Sequence, residues 1–171
     1  LWQSHLENGR KRNHGEWMPA RGAEQAHLKT VPLTLPAKDD RKQRTIHTLS
    51  MPVSSGDHPP VILQPETKIR VRGKIASSHR IWFGMTLCRE NGDFAGRFQT
   101  ILPAEEFKSG EPFEVVLNLT DYHLDPSLAK WAESLPESPY GLIVKSVWCH
   151  TLWDPAGLQV SEIALTTPTD K

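Results

Sequence analysis

The sequence predicts an all-β chain: an antiparallel sandwich of two sheets with one short helix near 126–135. Three observations carry this. Apolar residues alternate with polar ones over short runs, and Pro, Gly and Asp punctuate those runs at close intervals. The dipeptide Asn91-Gly92 sits between two alternating runs, the pattern of a hairpin. Only one stretch has helical spacing, so no helix alternates with the strands to make a parallel crossover.

Taken in order, residues 1–22 contain Arg10, Lys11, Arg12 and Arg21, two glycines at 9 and 15, and no sustained period. They read as a basic tail or linker, with Trp2 and Trp17 able to dock on the body. The sandwich is expected over 23–168, and 169–171 as a short tail. Val31, Leu33 and Leu35 alternate on one strand, where Pro32 lacks an N–H and so marks a sheet edge. A charged turn, 37–42, leads to Leu49, Met51 and Val53. Ile69, Val71, Gly73 and Ile75 then alternate with Arg70, Arg72 and Lys74, giving one apolar and one cationic face.

A two-residue type I′ loop at Asn91-Gly92 sets Glu90 opposite Asp93, Cys88 opposite Ala95, Thr86 opposite Arg97, Gly84 opposite Gln99 and Trp82 opposite Ile101. Ile81, Phe83, Met85 and Leu87 pair with Leu102, Thr100, Phe98 and Gly96, and this apolar set is the expected core side. Phe113–Leu119, Leu142–Cys149 and Leu158–Leu165 supply further strands. Asp125 and Pro126 form a helix start, and Leu128, Trp131, Ala132 and Leu135 an apolar stripe.

At 171 residues the chain is about one domain. Twenty Lys and Arg balance 20 Asp and Glu, which argues against a nucleic-acid partner, since that grip needs a clustered positive surplus. No apolar run approaches the roughly 18 residues of a membrane span, so membrane insertion is not expected. The chain begins at Leu1 with no leader-like stretch, and reads as a piece of something longer. Six Trp and 14 Pro beside 23% charged residues favour an exported (periplasmic or secreted) β module. Cys88 and Cys149 end strands running in opposite directions, so they belong at opposite ends of the sandwich as free thiols.

Catalytic patterns are missing. There is no Gly-x-Ser-x-Gly elbow, no phosphate loop, and the neighbours Glu105-Glu106 point apart. Eight histidines lack metal-ligand spacing, so neither a metal site nor a cofactor is expected. Asn118-Leu119-Thr120 matches the N-glycosylation pattern within a strand and carries little weight.

Thr67–Ile75, Pro112–Tyr122 and Gly157–Leu165 together resemble the galactose-binding-domain-like jelly roll found in many bacterial carbohydrate-binding modules. The similarity covers about 67–165: a strand followed by a Leu-x-Asp-aromatic step, and a glycine-led terminal strand. What the resemblance implies is a non-catalytic carbohydrate-binding module attached to neighbour domains in a larger extracytoplasmic bacterial protein, with a saccharide or polysaccharide as partner. Strand alternation puts Trp82, Arg72, Arg97, Gln99 and Asn118 on the non-core face, where Trp82 would stack a sugar ring and the others meet its hydroxyls. The resemblance also implies that a structural calcium ion is common in such folds, and Asp39-Asp40 or Asp121 could supply its oxygens. A second candidate site lies where the 76–80 and 150–157 loops share an end: His79, Arg80, His150, Trp153 and Asp154. Two other readings stay open: a sandwich that binds a protein or acts as a spacer, and a metal-dependent hydrolase built on His79, His150 and Asp154.

Overall fold

A computed structural model describes residues 1–4, 6, 13–38, 42–54 and 59–167. Arg10, Lys11, Arg12, Asp39, Asp40 and the closing tail 169–171 lie outside the described residues. The strands are β1 (Trp2–Gln3), β2 (Glu16–Met18), β3 (His27–Lys29), β4 (Val31–Leu35), β5 (Arg44–Pro52), β6 (Lys68–Lys74), β7 (Ile81–Cys88), β8 (Phe94–Leu102), β9 (Pro112–Asn118), β10 (His123–Leu124), β11 (Ile143–Thr151) and β12 (Gln159–Thr166).

They make the expected two-sheet antiparallel sandwich. The first sheet runs β2-β3-β12-β6-β9, with β1 also on β12; the second runs β10-β8-β7-β11-β5-β4. From β5 onward the chain passes repeatedly from one sheet to the other. Between the sheets, Leu28, Ile69, Val71, Val160 and Ile163 face Leu49, Met51, Phe83, Met85, Phe98 and Val147, all buried. Each such side chain contributes about 1.5–3 kcal/mol by leaving water.

The β7–β8 hairpin keeps the expected pairing from Ile81↔Leu102 to Leu87↔Gly96, and differs at its tip. The loop holds three residues, Glu90 to Gly92, and not two. Arg89 N–H donates to Asp93 O at 2.9 Å, and Gly92 N–H to Arg89 O at 2.9 Å. The cause is local: Asn91 Oδ1 accepts the Asp93 N–H and its Nδ2 donates to Asp93 Oδ2, which closes the longer loop. Gly92 takes the expected positive φ, at 87°. Cys88 then faces Phe94, where Ala95 was expected, and one extra residue on β8 restores the register by Leu87. The two irregularities cancel.

Two further expectations change. The helix at Pro126–Ser134 is a 3₁₀ helix, started by Asp125, whose side chain accepts the Ser127 N–H at 2.9 Å. Three residues per turn set Leu128, Trp131 and Ser134 on one face and turn Ala132 away from it; along that face Leu128 is buried and Trp131 is exposed. The described residues of the segment read as a tail also pair into the sandwich. Trp2 pairs with Leu165, β2 pairs with β3, and Trp2 and Leu6 are buried. Strands of two or three residues are too short to show a period, which is why the pattern hid them.

Candidate binding site

The outer face of the second sheet is built around a missing side chain. Gly84 on β7 pairs with Trp148 on β11, and a Cβ at Gly84 would lie 2.1–2.4 Å from three carbons of that indole. Without one, Trp148 lies flat across β7. Two residues along β11, His150 pairs with Trp82. The rings form a stack: Trp148 to His150 at 5.4 Å and 10°, His150 to Trp82 at 5.0 Å and 16°. The Arg80 guanidinium continues it, 5.8 Å from the centre of Trp82.

The stack leads to the end of the sheet where the 76–80 and 150–157 loops meet. Ala76 and Ser77 both donate their N–H groups to Ala156 O, at 2.8 and 3.2 Å. His79 meets Trp153 edge-on at 5.8 Å, and the Trp153 side stays open, with 46% of the residue exposed. The expected convergence of His79, Arg80, His150 and Trp153 is therefore present. Asp154 turns the other way, with Oδ1 3.5 Å from His47 Nδ1.

Burial, and then the nearby Arg44 charge, push the His150 imidazole down to about 4 against the opposing pull of Asp125. His79 is lowered by burial and by Arg80. His150 is thus a neutral, flat surface at pH 7. The Trp148 indole Nε1–H is buried with no acceptor among the described residues. Beside the stack, Arg97 Nε reaches Asp125 Oδ2 at 3.2 Å and Nη2 reaches Ser127 Oγ at 3.2 Å. Burial opposes ionisation of Asp125, yet the Ser127 N–H and hydroxyl together with Arg97 hold its carboxyl below the usual range.

Trp82, Arg97 and Gln99 stay together on this face, but Arg72 and Asn118 do not join them. β6 and β9 pair with each other in the first sheet, so Arg72 and Asn118 stand on the opposite outer surface. Alternation along a strand fixes which side a residue takes, and says nothing of which sheet receives the strand. Arg72 is ion-paired with Glu114 there, and Arg70 with Glu162 at 2.7 Å. The Asn118 N–H donates to Asp121 Oδ2 at 3.0 Å, so that carboxylate, a calcium candidate on sequence grounds, holds a turn.

The proposed hydrolase trio is not assembled. His79 is on Trp153, His150 lies between two indoles and Asp154 faces His47. Among the described residues no three His, Cys, Asp or Glu side chains are grouped to hold a metal ion. Trp148 and Arg44 were missed by sequence reasoning. Their signal is the Trp-x-His spacing of β11 set against Trp82-x-Gly84, and it becomes visible only once β11 is known to pair with β7. No protein-family model and no curated protein matches the chain. Among the described residues no helix is long and apolar enough to cross a membrane.

Proposed function

We propose that this chain is a non-catalytic saccharide-binding module that works through the loop end and outer face of its second sheet. The observation that carries the reading is the pair of aromatic groups on this end of the sheet, the Trp148–His150–Trp82 stack and the His79–Trp153 pair with its open indole. A sugar ring offers an apolar C–H face to an indole and hydroxyls to neighbouring polar groups. Trp153 is the ring with a free face, because Trp82 already carries His150. His79 and Arg80 supply polar groups at that end, and Gln99 and Arg97 lie farther along the same face. The reading is non-catalytic because the cluster sets no base beside a nucleophile and no two carboxyls across a cleft. It extends, on the resemblance over 67–165, to a module attached to neighbour domains in an exported bacterial protein.

A glycan array tests it. The wild-type chain should bind a defined subset of saccharides, and Trp153→Ala should weaken that binding about tenfold or more at an unchanged melting temperature, the scale of a lost binding-site ring. An array that stays silent with folded protein would discard the reading in favour of a protein-binding or spacer sandwich.

A further inference from the structure

Most outward arginines of the two sheets have a carboxylate partner. On the first sheet Arg70 pairs with Glu162 and Arg72 with Glu114; on the second, Arg97 pairs with Asp125. Arg44 and Arg80 make no ion pair among the described residues. Both stand at the same end of the second sheet. Arg44 opens β5 just beyond the Thr151↔His47 pair, and Arg80 immediately precedes Ile81 of β7. Arg80 lies against Trp82, and Arg44 stands four residues along β5 from Thr48, the partner of His150, on the same face of the sheet.

Among the described residues, the carboxylates nearest this end of the sheet are Asp125 and the exposed Asp154. Asp125 serves Arg97 and Ser127, and Asp154 faces His47. Among the described residues, this end of the face therefore holds two guanidinium groups with no ion-paired carboxylate. A ligand that completes it brings anionic oxygens.

We propose that the saccharide bound at this face is acidic, with a uronate carboxylate or a sulfate ester accepting hydrogen bonds from the guanidinium groups of Arg80 and Arg44. This rests on the saccharide reading of the same site. A guanidinium presents paired N–H groups that match two oxygens of either anion, whereas a neutral hydroxyl engages them singly. The flat rings alongside take the sugar, and the arginines select for charge.

The test is an array of uronate-bearing and sulfated oligosaccharides, each printed beside its neutral counterpart (carboxyl-reduced or desulfated), followed by titration calorimetry on any that bind. The acidic member should bind about tenfold or more tightly than its neutral partner, and the difference should shrink as salt is raised. Arg80→Ala and Arg44→Ala should each erode that preference, Arg80→Lys should restore only part of it, and Arg89→Ala, at the exposed hairpin tip, should leave it intact. Binding by carboxylates alone or sulfates alone supports the proposal and names the anion. Equal binding of neutral and acidic partners, or a preference indifferent to both arginine variants, overturns it and leaves the saccharide reading standing. Silence across acidic and neutral glycans removes both.

Discussion

Two residues of the aromatic face make claims that can be measured singly. Gly84 is there for what it lacks: Gly84→Ala would drive a methyl group to within 2.1–2.4 Å of Trp148 carbons. The expected cost is about 1–3 kcal/mol, with the indole displaced. A fall in melting temperature and a shift in tryptophan emission should report it together; an unchanged melting temperature would mean that Trp148 does not lie on β7. His150 makes the second claim. In the unfolded chain its imidazole takes a proton near pH 6.5, but folded it resists until about 4. Its contribution to stability is therefore complete above pH 6.5, declines as pH falls through the interval between those values, and declines no further below pH 4. With its partial exposure discounted, the loss is on the order of 2 kcal/mol. Urea midpoints at pH 7, 5.5 and 4 should fall less steeply for His150→Gln than for wild type, and parallel slopes would contradict the assignment.

The elements differ in how openly the sequence declares them. β7 and β8 are read directly, because Asn91-Gly92 fixes a turn and period-2 alternation fixes the faces, so Phe83, Met85 and Phe98 fall inward as the pattern requires. The loop length was not legible, because a side-chain hydrogen bond between Asn91 and Asp93 decides it. The helix start at Asp125-Pro126 was legible from the cap; its 3₁₀ winding was not. Asp125 is also the Arg97 partner, so its removal strikes both the helix and the sheet. Asp125→Ala should cost about 1–2 kcal/mol through the lost cap and the stranded guanidinium. Asp125→Asn, which keeps a cap oxygen, should cost less. Thermal melts of the two variants check the order, and equal losses would deny the cap its share.

At the scale of the whole molecule, strand content was legible and sheet membership was not. A chain that passes back and forth between two sheets leaves no mark of each crossing in its alternation, so Trp82 and Arg72 look like neighbours until β6 is seen to pair with β9. Placement by strand direction succeeded for the cysteines. Cys88 and Cys149 are both free thiols, the first half-buried and the second in the core, where burial holds its thiol above the ordinary range. Thiol titration should therefore find Cys149 unreactive in native protein, and both groups reactive after denaturation without reductant. Finding neither in a denatured monomer would mean that they are bridged. The margins of the second sheet have a consequence for how the molecule behaves in company. One margin is β4, where Pro32 offers no N–H, and the other is the two-residue β10. Neither gives another copy a long row of main-chain groups on which to add a strand. The sheet that displays open aromatic rings is thus poorly suited to grow by stacking edge to edge, and concentrated solutions should stay clear although Trp153, Trp131 and Phe94 face water.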